Sequence, residues 1–265
     1  MTGATTDDTV LARIARVTVA AWGQYATRVG GRVVQDAGLT YLVGSHPSAA
    51  IINTVFRTDW SVSPAEVLSR SRDFYRGISH RFALLTSDHS DADVNAEAKA
   101  SGWTMAIELP AMVCREPLPD KPTTLEGSLR RADPRADIDS FRAVVRDGFA
   151  TDDDEIAAAE TVFSSPAALD APGTSGVLAS VDGRDVAVAR VDVIEGMGYI
   201  GWVGTLPSLR RRGLGELVTR AATNAAFELG ADIVALEASP MGLPLYEKMG
   251  YETVGIGRVW LPPSD

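Results

Sequence analysis

The chain of 265 residues has a single cysteine, Cys114, and three histidines, His46, His80 and His89. One thiol excludes an internal disulfide and any multi-thiolate metal centre, and it reads as a small buried apolar residue. All three imidazoles fall in the first half, so the second half can build neither a Ser-His-Asp hydrolase nor a His-Cys zinc site. Long apolar runs are missing, which argues against a membrane span. The polar, acidic start over residues 1–8 lacks the basic and apolar regions of a secretory signal, so a cytoplasmic protein is expected. Basic charge is also short: 25 lysines and arginines face 35 acidic residues, for a net charge of −10. The deficit is concentrated in residues 123–265, which carry 13 basic and 22 acidic groups, against 12 and 13 in residues 1–122. Such a surface repels nucleic acid and suits a cationic acceptor such as an amine. With 45% hydrophobic and 23% charged residues the composition is that of a globular protein, long enough for one large domain or two ordinary ones.

Against these absences stands one conspicuous local pattern. An apolar segment ending in Val203-Gly204-Thr205 runs into the loop Leu206-Pro207-Ser208-Leu209-Arg210-Arg211-Arg212-Gly213-Leu214-Gly215 and then directly into a helix. Leu217, Val218, Ala221, Ala225 and Leu229 recur at helical spacing before Gly230 stops the helix. The first-turn amides, from Arg211 to Glu216, face the loop, and with the positive end of the helix dipole they favour a phosphate. Gly213 and Gly215 let that phosphate approach the main chain, and the arginine triplet supplies local counter-charge, with Arg210 and Arg212 expected to pair with it directly.

The motif Arg210-x-x-Gly213-x-Gly215 resembles the pyrophosphate loop of the GNAT superfamily of acetyl-coenzyme A-dependent N-acetyltransferases, which reads Arg/Gln-x-x-Gly-x-Gly/Ala after a strand. Downstream, Leu245-Tyr246-Glu247-Lys248-Met249-Gly250-Tyr251 is similar to the family's Leu-Tyr-x-Lys-x-Gly-Phe/Tyr signature, and one helix and one strand fit between the two. The resemblance implies an α/β fold with a mixed, mostly antiparallel, splayed sheet flanked by helices, and acetyl-CoA as co-substrate. It implies that Val203 and Thr205 pair with the pantetheine arm, that Gly201 and Gly204 suit a bulge opening the slot for it, and that Tyr246 protonates the departing thiolate. Ser239 stands where the family often has an asparagine touching the cofactor, a departure from the family's pattern.

The predicted order of elements fits that fold over nearly the whole second half. A strand near 129–132 is followed by helices over 135–150 and 152–163, then strands over 176–181, 185–194 and 197–205, with turns at Asp182-Gly183 and Glu195-Gly196. After the motif helix come a strand at 233–236, a short helix at 243–249 and a strand at 252–261. A proline-rich passage separates the halves, so the domains are expected at 1–116 and 124–265, joined by a linker over 117–123. Laid over the second half at an offset of 148 residues, the first half repeats the order weakly: 82–85 matches the strand at Val234, 95–99 the Tyr246 helix and 105–113 the last strand. Its functional residues are gone. Tyr246 faces Ala98, and residues 56–63, before a helix over 64–75, contain no glycine. The expectation is therefore a tandem GNAT-like protein with a degenerate first half.

The acetyl-transfer reading needs a positioned thioester, a neutral amine and a proton for the leaving thiolate. For a general base the candidates are Glu195 and Glu237, each with a structural role as the alternative, and water-relayed deprotonation needs neither. The acidic run 152–155 reads as a helix cap or as a lure for a cation, and Trp202 as an acceptor-pocket wall or a core residue. The expected activity is N-acetylation of a small-molecule amine in a direct ternary complex. A sensor that binds acetyl-CoA without turnover, or acetylation of a cysteinyl amine as in mycothiol synthase, remain alternatives. No metal, nucleic acid or membrane partner is expected, and the oligomeric state stays open, a homodimer included.

Overall fold

The computed structural model describes residues 6–119, 127–149 and 153–264. The first half contains α1 (Thr6–Arg28), β1 (Arg32–Asp36), β2 (Leu39–Val43), β3 (Thr54–Arg57), α2 (Pro64–Ile78), β4 (Ala83–Ser87), α3 (Ala92–Ala100) and β5 (Thr104–Cys114). The second contains β6 (Gly127–Arg131), α4 (Pro134–Phe149), α5 (Asp153–Val162), β7 (Thr174–Val181), β8 (Arg184–Ile194), β9 (Met197–Thr205), α6 (Leu214–Glu228), β10 (Ile233–Glu237), α7 (Leu243–Met249) and β11 (Glu252–Leu261). The second-half elements lie within a few residues of their expected positions. Both hairpin turns hold two residues at positive φ, 51° and 75° at Asp182-Gly183 and 49° and 73° at Glu195-Gly196, which matches the right-handed twist of the strands they join. The helices expected over 135–150 and 152–163 touch residues 150–152, which lie outside the described residues, as does most of the expected linker.

All these strands join one sheet in the order β1-β2-β3-β4-β11-β5-β10-β9-β8-β7-β6. Among the described residues only the β3–β4 and β9–β10 pairs are parallel, and they occupy equivalent places in the two halves. The correspondence predicted at the 148-residue offset is present as β4 with β10, α3 with α7, and β5 with β11. One feature differs from a simple pair of sheets side by side. β5 does not lie beside β4: it runs between β11 and β10 of the second half, while β11 lies between β4 and β5. The two halves thus exchange their last strands.

Side chains alternate across the sheet as strand geometry requires. Gly198 faces Ala226 of α6, whereas the Tyr199 hydroxyl meets Trp22 of α1, so these two helices cover opposite faces. Below α2 and α3, a core forms from Tyr41, Val55, Leu84, Val94 and Trp103, with Trp260 of β11 added to it. On the α1 face, Leu42, Phe56 and Leu85 pack with Val19 and Trp22. The main core fills the second half and takes in Met112, Val113 and Cys114 from β5 as well as Ile14, Val17 and Tyr25 from α1. Cys114 is buried, as expected. The start of the linker is docked rather than free: Leu118 exchanges two hydrogen bonds with the Asn224 side chain, 2.8 and 2.9 Å, and the Pro119 carbonyl accepts from Arg220 at 2.8 Å.

Candidate active site

β9 and β10 pair from Met197–Ile233 to Ile200–Leu236 and then part, so that β9 continues through Gly201 to Thr205 with no β10 residue opposite it. Just past the parting point the register against β8 shifts: Arg190 faces Gly201 and Val188 faces Gly204, so two β9 residues, Trp202 and Val203, oppose Ala189 alone. The extra residue is accommodated by Trp202, whose φ is 56°. A bulge was expected from the glycines at 201 and 204, and it falls between them. The glycines serve close approach instead. A Cβ on Gly204 would stand 3.2 Å from the Val144 carbonyl, and one on Gly148 would fall 2.8 Å from the Thr205 backbone, so α4 lies directly on the strand end.

The loop after Thr205 turns through a 3-10 segment, Pro207–Leu209, and enters α6 with Arg211 at φ 63° and Gly213 at 82°. Gly213 is the N-cap and offers no side chain, so among the described residues no side-chain cap closes the first turn of α6. That conformation is one glycine adopts freely. Packing does not require Gly215 to be small: a Cβ there would meet only Leu245 Cδ2 at 3.5 Å and Thr205 Oγ1 at 3.6 Å, ordinary contacts. The loop, the end of β9 and the start of α7 therefore converge around an open N-terminus. The corresponding helix of the first half is closed. Ser63 caps α2, accepting from the Glu66 amide, while the Glu66 carboxylate accepts from the Ser63 amide at 3.1 Å, placing a negative charge where an anion would sit.

The arginines divide. Arg210, expected to pair with phosphate, donates from Nε to the Thr205 carbonyl at 3.3 Å and from Nη2 to the Gly148 carbonyl at 3.1 Å, tying α4 to the end of β9. Arg211 and Arg212 are exposed. Leu214 is buried, and the Glu216 side chain is turned to Arg220 at 3.0 Å, leaving the main chain of both as their contribution to the loop. Ser239 shapes the turn into α7, its Oγ accepting from the Gly242 amide at 3.2 Å. Tyr246 is buried against Gly242 and Tyr251, and burial pushes its phenol up to about 12. Among the described residues its hydroxyl has no hydrogen-bond partner.

At the parting point on the α1 face, Glu237 ends β10. Its carboxylate accepts from Tyr199 Oη at 2.6 Å, and that oxygen accepts from Trp22 Nε1 at 3.0 Å. Burial raises the Glu237 carboxyl above its ordinary value, a shift that the Tyr199 bond only partly offsets. Glu195 lies at the other end of β9, in the β8–β9 turn, with its carboxylate 3.5 Å from Arg16. A second buried polar group lies on β8. Arg190, fully buried on β8, donates to Asp192 at 2.8 Å and lies 4.3 Å over the Tyr25 ring, while Tyr25 and Thr174 also donate to Asp192, at 3.1 and 2.6 Å. Trp202 packs edge-on to Tyr25 and Phe163. Of the acidic run, Asp153, Asp154 and Glu155 lie in the first turn of α5, and Asp154 pairs with Arg81 of the first half at 2.8 Å; Asp152 is outside the described residues.

Sequence reasoning did not find α1, and with it Trp22 and Tyr25. The signal was there: Val10, Leu11, Ile14, Val17, Ala21, Trp22 and Tyr25 recur at helical spacing. Among the described residues no cluster of His, Cys, Asp and Glu could hold a metal, and no helix is long and apolar enough to cross a membrane.

With this geometry in place, comparison with known proteins gives its class. The model of the acetyltransferase (GNAT) family matches residues 139–251. A GCN5-related N-acetyltransferase from Kribbella flavida is similar over 95% of this chain and 96% of its own, at 24% identity and a TM-score of 0.73. A functionally unknown conserved protein from Staphylococcus epidermidis follows at 14% identity and a TM-score of 0.68, over 89% and 96% of the two chains. A tandem GNAT protein from the clavulanic acid biosynthesis pathway is 14% identical, with a TM-score of 0.58 over 94% and 97%. At these identities the likeness is one of fold, and it runs through both halves. No match was found among curated proteins. The fold is built from two GNAT-like halves, and the match to the acetyltransferase (GNAT) family lies in the second of them.

Proposed function

We propose that the protein transfers the acetyl group of acetyl-CoA to the amine of a small molecule, within a ternary complex and with the chemistry confined to the second half. The observation that carries this reading is the uncapped start of α6, set beside the point where β9 and β10 part. The diphosphate lies on the amides from Arg211 to Glu216, with Arg211 and Arg212 closing over it through charge-assisted hydrogen bonds. The pantetheine arm pairs with the backbone at Val203 and Thr205, on the stretch of β9 that β10 leaves free.

The amine arrives as an ammonium and gives a proton to Glu237, which the Tyr199 hydroxyl holds in place. The neutral nitrogen attacks the thioester carbonyl carbon, the C–S bond breaks, and the thiolate takes the Tyr246 proton. The second proton of the nitrogen returns the phenol to its starting state. The raised Tyr246 value keeps it protonated at neutral pH. An unpartnered phenol in the middle of α7 favours turnover over mere sensing of acetyl-CoA. These reactants are soluble small molecules of the cytoplasm. The test is calorimetric titration of acetyl-CoA, followed by coenzyme A release against a panel of amines, polyamines, amino acids and aminoglycosides. Absence of acetyl-CoA binding would reject the reading outright, and binding without release for any amine would leave a sensor.

A further inference from the structure

A cavity of about 60 Å³ lies beneath α1, walled by apolar side chains such as Ile14, Phe56 and Leu85 and floored by Gly257 of β11. Glu237 stands at one end. Its Oε1 reaches across β5 to within 3.1 Å of where a Gly257 Cβ would be. Toward β4, the next strand, the wall turns polar with Thr18, Arg57 and Asp91. Each carries a buried atom with no hydrogen-bond partner among the described residues: Thr18 Oγ1, Arg57 Nε and Asp91 Oδ1. The three side chains are themselves buried, with Thr18 3% exposed and the side chains of Arg57 and Asp91 4% and 8% exposed. A buried donor or acceptor left unmet destabilises a fold, so three around one space point to an occupant that meets them.

Their chemistry limits that occupant. Arg57 Nε offers an N–H, and Asp91 Oδ1 accepts, its other oxygen being taken by the Ser87 amide at 3.1 Å and Ser90 Oγ at 2.7 Å. Arg57 Nη1 stands 3.9 Å from Asp91 Oδ1 and is bound to Asp93 at 2.8 Å. A second ammonium at this end would face the guanidinium, and a carboxylate would face Asp91. A hydroxyl meets both, accepting from Arg57 and donating to Asp91. At the Glu237 end the unmet charge is a carboxylate, which calls for an ammonium. We propose that this cavity is the acceptor seat and that the acceptor is a short aliphatic amino alcohol, its amine at Glu237 and its hydroxyl at Asp91, Arg57 and Thr18. A space of this size admits a chain of about four to six non-hydrogen atoms, taking ~10–15 Å³ for each water-sized group. The inference rests on the acetyltransferase reading for the fate of the amine. The binding site itself stands on the first half, which contributes α1, β3 and β4 to it.

The test is calorimetric titration of 3-aminopropanol and 4-aminobutanol, with putrescine, 4-aminobutanoate and butylamine as matched probes, into the protein with and without coenzyme A. Ala15, on the cavity wall, is replaced by Leu to fill it, and Asp91→Asn serves as a second variant; thermal melts verify that both fold. The amino alcohols are expected to bind best. Ala15→Leu should weaken them at least about tenfold while acetyl-CoA affinity is unchanged, and Asp91→Asn should narrow their advantage over butylamine. No binding of any probe by the wild type, or equal binding by Ala15→Leu, overturns the seat. Tighter binding of putrescine or 4-aminobutanoate overturns the amino alcohol. Loss of acetyl-CoA binding in the wild type would instead strike the acetyltransferase reading, with the amine titration still deciding the cavity.

Discussion

Glu237 carries two opposed demands in one side chain. Ionised, it can take a proton from an ammonium, yet burial favours the protonated form and raises it above its ordinary value of 4.5. Tyr199 faces it as a donor, and Arg57 and Asp91 face it across the cavity. A carboxyl with a raised folded-state value keeps its proton over a pH range in which the unfolded chain has lost it. Its stabilising effect is therefore present in acid and is lost as pH rises through the folded value. Glu237→Gln, which can still accept from Tyr199, should raise Tm at neutral pH, with the difference from wild type closing toward acid. In kcat/KM the wild type should show an acid limb lying above 4.5, and the variant should lose both that limb and most of its rate. An unchanged limb in Glu237→Gln would assign it to another group. Tyr246→Phe removes one hydroxyl from a buried ring that packs on Gly242 and Tyr251. It should lower kcat by ~10²–10⁴ with the KM for acetyl-CoA nearly unchanged, because the proton is needed only as the C–S bond breaks. Turnover equal to wild type would leave Tyr246 a packing residue.

Two helices of like position, α2 and α6, show how a helix start is closed or left open. α2 carries its own anion in the Ser63–Glu66 capping box, whereas α6 begins at Gly213 with nothing to cap it. The open turn before α6 and the lack of glycine before α2 were legible in the sequence, because such a turn is local: spacing of glycines, a strand before and a helix after suffice. The fate of Arg210 was not, since its partner Gly148 lies on α4, and only the crossing of α4 over β9 brings that carbonyl to it. The same holds for Trp22 and Tyr25, whose helix is readable from its period but whose docking on β8 and β9 is not. The open helix start predicts a separation of stability from binding. At Gly215 the protein itself leaves room for a side chain, so Gly215→Val should keep the fold, while its methyl groups enter the space above the first-turn amides. Losing one or two charge-assisted hydrogen bonds of ~1.5–3 kcal/mol each should weaken acetyl-CoA by at least about tenfold. Calorimetry with a melting curve on the same sample measures both, and an unchanged Kd would remove the phosphate from this turn.

Over the whole molecule, the exchange of β5 and β11 decides what counts as a folding unit. Sequence pattern identifies both as strands with nearly correct ends, but alternation specifies a face, not a neighbour, and these strands offer either half a similar apolar face. The structure resolves the choice through particular residues. Trp260 of β11 is buried in the first-half core, its indole N–H donating to Asn95 Oδ1 at 2.9 Å and Thr86 Oγ1 at 3.2 Å. Met112 and Val113 of β5 sit in the second-half core. Both neighbours of β5 belong to the second half, and both neighbours of β11 to the first. Chains of 1–119 and 124–265 made separately would therefore each hold a last strand with no partner and a core with a gap. A buried tryptophan alone is worth ~3–5 kcal/mol, a large share of a domain's stability. Neither fragment should unfold cooperatively by itself, and exposed sheet edges should drive both to aggregate. Made together they should copurify one to one and recover a single transition, as seen by circular dichroism and size-exclusion chromatography. Two fragments that each melt cooperatively and fail to associate would mean that β5 can return to β4 and β11 to β10, so that the exchange is not what holds the halves together.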